Sequence, residues 1–405
     1  MEAAEEEIID IAIVGAGICG LATALALHRK GIQSVVLERS ETLRDSGAAI
    51  GILTNGWCAL DQLGVGHKLR STALPLQGIR DIWLDSNKQR EAPVSKGEAR
   101  CVKRSELMNT LGDGLPQGTI RFGCRIRCVK EDPCTNFPTL EFLDGSTIKA
   151  KILIGCDGAS SVVAEYLKLK EKKVFGAWAV RGLTYYPNSE HGFPPQFSRY
   201  HGNNVVCGRS PINHNLVFWF LLIPGYNVPQ DSEILKNPDL IKRMTVQKIT
   251  NGSTTFPNEI VGMIRDCDMA SLSLTHLRYR PAWEVLLEKF RKGTITVAGD
   301  AMHVMGPFLG QGGSAALEDA VVLARCLAQK INDHDHDTKK IEEAMDLYVK
   351  ERRMRLVRLS AQSYLTGLLL SSSASSLLRK LSLVLIMLVI FHDPLSHTLY
   401  DCGPL

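Results

Sequence analysis

Three glycines and one acid carry the first chemistry legible in this chain: Gly15, Gly17 and Gly20 in Gly15-Ala16-Gly17-Ile18-Cys19-Gly20, and Glu38 beyond them. At this spacing the first glycine permits a tight turn and the second lets the backbone approach a pyrophosphate. The third lets a helix lie close on a strand, and the helix start offers N–H groups and a positive dipole end. Glu38 is placed to accept hydrogen bonds from a ribose hydroxyl. With 34 glycines in 405 residues, chance alone yields about 0.24 such spacings, so the flanking elements decide. Ile11-Ala12-Ile13-Val14 reads as a buried parallel strand, and a helical pattern follows to about Lys30, ended by Gly31. Ser34–Leu37 is a second buried strand that delivers Glu38. This order makes a dinucleotide site.

A second unit of the same kind lies far downstream. Val297-Ala298-Gly299-Asp300-Ala301 reads as a strand ending in an acid, followed by Pro307, then Gly310-Gln311-Gly312-Gly313, and a helix from about Ser314. Asp300 can accept from sugar hydroxyls, and a glycine-rich helix start can stabilise negative charge developing on a nearby ring. A nicotinamide dinucleotide has no need of a contact about 285 residues after the first, whereas a long, extended FAD does. Between the two units, a strand over Lys149–Ile154 runs into Gly155-Cys156-Asp157-Gly158. The small residues Ser46-Gly47-Ala48-Ala49 form a loop open to close approach, and Arg104 stands at the entry of a helix with Ser105 as its N-cap.

The rest of the chain must position these parts. Its 405 residues suffice for two cored domains, and 45% apolar with 22% charged residues is ordinary for a globular protein. A net charge of +4 without a basic run argues against nucleic acid. Eleven scattered cysteines without zinc spacing read as reduced, apolar side chains. The first strand begins by about Ile8 behind an acidic tail, which predicts no signal or transit peptide and a cytoplasmic setting. From about Val174 to Glu284, short β-rich runs separated by turn residues predict a mostly antiparallel sheet, at Ala177–Thr184, Asn204–Arg209, Asn215–Ile223 and Ala270–Leu277. Asn332–Asp337 reads as a polar linker rather than a metal site. From Lys340 to the end the pattern is helical. The apolar run Leu381–Phe391, at about 11 residues, is too short for the roughly 20 that span a bilayer. It reads as a helix packed on the core, with peripheral membrane contact as the alternative.

Three motifs in order, GAGICG at Gly15–Gly20, CDGASS at Cys156–Ser161 and GDAMH…P..GQGG at Gly299–Gly313, resemble the single-component FAD-dependent aromatic hydroxylases. These are the group around p-hydroxybenzoate and salicylate hydroxylases, and the fit is nearest to their plant branch, related to zeaxanthin epoxidase. The resemblance runs from about Ile8 to Gly403. It implies an α/β fold: a Rossmann-like FAD-binding domain (GR2-type), an inserted, mostly antiparallel β-sheet substrate domain, and C-terminal helices. The FAD domain would comprise residues 1–75, 100–173 and 285–337, the substrate domain 76–99 and 174–284, and the helical segment 338–405. It further implies that Gly15, Gly17 and Gly20 hold the pyrophosphate and Glu38 the adenine ribose of a non-covalent FAD. Arg39 and Arg104 would clasp its phosphate and ribityl side, and Asp300 its ribityl or pyrophosphate. Pro307, Gly310, Gln311, Gly312 and Gly313 would lie against the ring, and Gly47 would also contact the cofactor. Asp157 and Gly158 would serve both FAD and a transient NAD(P)H. Two positions depart from the family pattern: Ala164 stands where an arginine is usual, and Ser314 where Asn is frequent.

The implied activity is that of an NAD(P)H- and O2-dependent monooxygenase. Through a C4a-hydroperoxyflavin it would hydroxylate or epoxidise a small electron-rich aromatic or isoprenoid substrate. Arg181, Trp219 and Phe220 fall in the sheet expected to cover the flavin, and an arginine there can hold a carboxylate; no general base is assignable. Two other readings stay open: an FAD-dependent oxidase or dehydrogenase that inserts no oxygen, and a non-catalytic flavoprotein binding module.

Overall fold

In a computed structural model the protein is described over residues 7–43, 48–187, 190–225, 237–331, 337–371, 384, 385, 387, 391 and 393–405. The first strand, Ile8–Val14, lies between Val35–Leu37 and Thr147–Gly155, parallel to both. Ile295–Val297 adds in parallel on the far side of Thr147–Gly155, and Ile120–Arg121 beyond Val35–Leu37. Ile11, Ala12 and Ile13 are almost wholly buried because helices cover both faces, as an uninterrupted apolar run requires. The helix Ile18–Arg29 is buried from Ile18 to Leu27, between this sheet and the helix Gly312–Lys330. Leu21, Leu25 and Leu27 there are each 0% exposed, and each such side chain contributes about 1.5–3 kcal/mol on burial.

A second sheet, of seven strands among the described residues, runs in the order Ser273–Tyr279, Lys173–Tyr185, Leu216–Pro224, Val205–Pro211, Gln196–Gly202, Gly78–Trp83, Lys88–Ala92. Every pairing in it is antiparallel except that of Gln196–Gly202 with Gly78–Trp83. Alternation gives this sheet two faces of different use. Val180, Cys207, Trp219 and Leu221 pack on one side beneath the helices Pro238–Thr250 and Asn258–Arg265. Leu183, Phe218 and Phe220 point the other way, onto Ala48 and Cys101, and Leu222 packs with Phe308. The strands Ala49–Leu53 and Ala99–Lys103 form a small ladder of their own between the two sheets.

Several expectations need correcting. Two helices interrupt the β-rich stretch, and the signal for the first is Asn237-Pro238-Asp239. The Asn237 side chain accepts from the Asp239 and Leu240 N–H groups, and proline occupies the first turn. The chain is not helical from Lys340 to its end: the helix Thr338–Ser371 is followed, over 393–405, by one short turn and an irregular tail. That tail is held by hydrogen bonds rather than by helical packing, with Arg325 donating to the Cys402 carbonyl and Leu405 N–H to Gln62. Ser105 lies inside the helix Arg104–Asp113 and does not cap it. Most of Leu381–Phe391, and residues 332–336 of the polar linker, lie outside the described residues. No helix among the described residues is long and apolar enough to cross a membrane.

Candidate functional site

The fingerprint glycines differ in what a side chain would meet. Gly15 has φ +95°, and a Cβ there would fall 2.8 Å from the Asp157 Cα. At Gly20 it would fall 1.9 Å from the Gly15 carbonyl oxygen, so this glycine is what lets helix and turn touch. Gly17 has nothing within 4 Å. That opening adjoins the start of Ile18–Arg29, which carries no side-chain cap and no acid in its first turn. An anionic pyrophosphate fits there, by space and by dipole. Glu38 is buried at the end of Val35–Leu37; its carboxylate accepts from Ala16 N–H at 2.8 Å and Ser40 N–H at 2.9 Å. Those two bonds aim it at the fingerprint turn, the place where a sugar hydroxyl of a bound dinucleotide would meet it. Arg39 is exposed.

The second unit is built differently from its sequence reading. Ile295–Val297 ends before Gly299, and Asp300 opens a short helix, Asp300–His303, instead of closing the strand. Gly299 has φ +61°, and a Cβ there would meet the Cys19 side chain at 2.9 Å, so this turn is pressed against the fingerprint helix. Asp300 is exposed. Pro307 begins a single helical turn that ends at Gly310, left-handed at φ +63°. Gln311 precedes the helix Gly312–Lys330, which is again without a capping side chain or first-turn acid. A Cβ at Gly310 or Gly312 would meet nothing within 4 Å, whereas at Gly313 it would strike Ile50 at 2.1 Å. The chain thus presents two bare helix starts with open space before each, the donor set a long dinucleotide with a ring at one end requires.

What fixes the glycine-rich loop is a buried polar network that sequence reasoning missed. Asn55 Nδ2 donates to Gln311 Oε1 at 2.8 Å and to Glu318 Oε1 at 2.5 Å, and Gln311 Nε2 donates back to Asn55. Arg352 donates from Nη2 to Glu318 at 2.6 Å, and Arg355 adds a bond to the same carboxylate at 2.9 Å. Asp319 accepts from the Gly299 N–H at 2.9 Å and pairs with His303 Nε2 at 2.6 Å. Burial pushes both carboxyls up, but the opposing charges outweigh it, Arg352 and Arg355 on Glu318, and His303 and Arg352 on Asp319. Both therefore stay below the usual carboxylate range. The available signal was Glu318-Asp319, two acids side by side in an otherwise apolar helical run.

Asp157 and Gly158 lie at the end of Thr147–Gly155, next to Gly15. Val162 N–H donates to Asp157 Oδ2 at 2.7 Å, while Oδ1 is buried without a hydrogen-bond partner. Burial raises this carboxyl above its usual range, partly opposed by Ser161 and Val162. Arg104 starts its helix where Ala48 accepts from its backbone N–H. Gly47 is outside the described residues.

Of the three substrate candidates the sheet separates one from the others. Arg181 and Phe220 are directly paired across strands and share the face toward the glycine-rich loop. Arg181 donates to Thr275 Oγ1 at 2.6 Å; burial and then the nearby Arg104 hold its pKa below the arginine norm. Trp219 faces the opposite way, 0% exposed, its indole N–H on Thr184 Oγ1. It belongs to the core beneath the two helices, and its neighbour Phe220 takes the position expected of it. Phe308, from the loop, packs on Phe175 with ring centroids 4.8 Å apart and fills a slot left by Gly306 and Gly367. Ser363 on the long helix donates to the Gly306 carbonyl at 2.8 Å. Among the described residues no group of three or more His, Cys, Asp or Glu could hold a metal ion.

Comparison with known proteins agrees with this construction. Residues 8–363 match the family described as FAD binding domain. Monooxygenase 1 of Arabidopsis thaliana is 52% identical, over 98% of this chain and 100% of its own length. Monooxygenase 2 of the same plant is 36% identical over 91% of each chain. The structure of Klebsiella pneumoniae HpxO complexed with FAD and uric acid has the same fold, with a TM-score of 0.78 at 22% identity over 98% of this chain and 97% of that one. With two bare helix starts for one long dinucleotide, and relatives that share almost its whole length, this chain belongs to the FAD-binding-domain family and is a flavin-dependent monooxygenase.

Proposed function

We propose that the protein uses NAD(P)H and O2 to hydroxylate, or epoxidise, a small electron-rich aromatic or isoprenoid substrate. The observation that carries this reading is the shared face of Arg181, Phe220 and the Phe308 loop: apolar aromatic surface and one cation, turned toward the glycine-rich helix start. When bound, FAD supplies the redox chemistry that delivers one oxygen atom from O2 to the substrate. The chain's own residues bind and exclude. Gly15, Gly17 and Gly20 accommodate the pyrophosphate, Glu38 accepts from the adenine ribose, and Asp300 and Asp157 accept from sugar hydroxyls. Arg39 and Arg104 offset phosphate charge on the ribityl side. Pro307 lies against the ring, while Gly310, Gln311, Gly312 and Gly313 bring N–H groups to its edge, where they stabilise negative charge. Phe220 and the seven-stranded sheet keep water from the reacting face.

In this division residues 1–75, 100–173 and 285–337 hold the cofactor, 76–99 and 174–284 cover the substrate, and 338–405 brace both. An 18O2 experiment tests the reading: with a panel of phenolic acids and isoprenoids, at least one compound should stimulate NAD(P)H oxidation and emerge carrying one labelled oxygen. Stimulated oxidation that yields only peroxide, for every compound, identifies an oxidase instead.

A further inference from the structure

The short helix Ala282–Leu287 is turned inside out. Its acid, Glu284, is buried together with Val285, while Trp283, Leu286 and Leu287 face solvent, Leu287 with 75% of its surface. Fraying does not account for this. Arg353, on the helix Thr338–Ser371, donates to the carbonyls of Val285, Leu286 and Glu288 at 2.9, 2.6 and 3.0 Å, which fixes the end that carries the two leucines. Just beyond it, wholly buried Arg280 donates to Glu288 at 2.8 Å. Val174 on the strand Lys173–Tyr185 and Met354 beside Arg353 are further exposed apolar side chains. A single exposed leucine is ordinary. Three large apolar residues turned outward on a pinned helix, with its acid turned inward, mark a surface that a partner covers.

The nature of that partner follows from charge. Lys173 Nζ stands over the Trp283 ring, 4.9 Å from its centroid, and 3.9 Å from buried Glu284. Lys170, whose backbone N–H donates to Glu288 at 3.0 Å, is exposed, as are Lys289, two residues past Leu287, and Lys350, one turn before Arg353. These three lysines form no ion pair among the described residues. Glu171 is an exposed acid among them, but Glu284 and Glu288 are taken up by the contacts above. A second copy of this chain seated face to face would set like charges against each other. An anionic lipid surface satisfies both parts: the apolar tips enter it, and the lysine stems lie along them with their ammonium groups at the phosphates. We propose that Ala282–Leu287 and the lysines around it dock the protein on an anionic lipid bilayer, with Trp283, Leu286 and Leu287 at the boundary between headgroups and acyl chains. The contact is interfacial, since no helix among the described residues is long and apolar enough to cross.

The test uses the FAD-loaded enzyme and sedimentation with vesicles of phosphatidylcholine, alone or mixed with phosphatidylserine. Wild type should bind the mixed vesicles far better than the neutral ones, and high salt should weaken that binding. Leu287→Gln and Lys289→Glu should each weaken it about tenfold, with FAD content and Tm unchanged because both side chains are exposed. Leu287→Phe should keep it. A wild-type enzyme that does not prefer the mixed vesicles overturns the proposal. So does Leu287→Gln binding them as wild type does, which would put lipid contact elsewhere on the chain. A dimer seen by light scattering that Leu287→Gln dissolves makes a second copy the occupant of this face and overturns it as well.

Discussion

Arg352 and Asp319 meet inside the protein, Nε to Oδ1 at 2.7 Å, with no surface of either residue exposed. Arg352 bonds Glu318 as well, so one guanidinium bridges two adjacent carboxylates and, with Arg355 and His303, lets the helix Gly312–Lys330 keep them in an apolar setting.

Arg352→Met should therefore destabilise the fold by about 3–5 kcal/mol, because two buried carboxylates lose a shared counter-charge and keep only Arg355 and His303. The glycine-rich loop depends on Glu318 through Asn55 and Gln311, so FAD affinity should fall too. Chemical denaturation and flavin retention on gel filtration check both. Full stability would mean that the network is not what holds the loop.

Acid should act through the same pair. Glu318 and Asp319 have folded-state pKa values below their ordinary ones, so the stability they contribute is present above the unfolded values, about 4.3 and 3.9, and is lost as pH falls through the folded ones. In Arg352→Met the dependence weakens. With only Arg355 left on Glu318 and His303 on Asp319, burial counts for more, both pKa values rise from where Arg352 held them, and acid costs the variant less than the wild type. Melting curves from pH 7 to 4 should thus converge for the two proteins.

Gly17 and Gly20 should fail in different ways. Gly17→Val has room in the polypeptide but occupies the pyrophosphate's space, so it should give a folded, colourless protein. Gly20→Ala drives a Cβ into the Gly15 carbonyl and should not fold normally. Circular dichroism and flavin absorbance separate the outcomes. Gly17→Val with full FAD occupancy would overturn the assignment of the fingerprint.

Trp219 and Phe220 offer a second contrast. Trp219→Phe forfeits the bond to Thr184, about 1 kcal/mol, and should lower Tm without changing substrate selectivity. Phe220→Ala should alter KM and raise peroxide release, with a smaller effect on Tm than its size suggests. Equal effects of the two substitutions on KM would contradict the division of faces.

These contrasts show where sequence reading works. Both strand–glycine–helix units were legible because glycine spacing and flanking periodicity are local signals. The faces of the sheet were not: Leu216–Pro224 is apolar at nearly every position, and parity along such a strand is set only by what packs on each side. Asp300 looked like a strand end because Gly299, at φ +61°, turns the chain two residues after the strand stops. Arg352 could not be assigned at all, since it is one of several arginines along its helix and its partners lie on another helix, more than thirty residues back in the sequence.

The bond between Asn55 and Gln311 spans 256 residues, and Arg352, which completes that cluster, comes later still. On the ribosome, therefore, the fingerprint helix emerges long before the loop that receives the ring and the helix that covers it can be set. Cofactor capture becomes one of the last events of biosynthesis. A nascent chain halted before Arg352 would carry the nucleotide fingerprint yet be unable to retain flavin, which makes the yellow colour itself a report on complete translation.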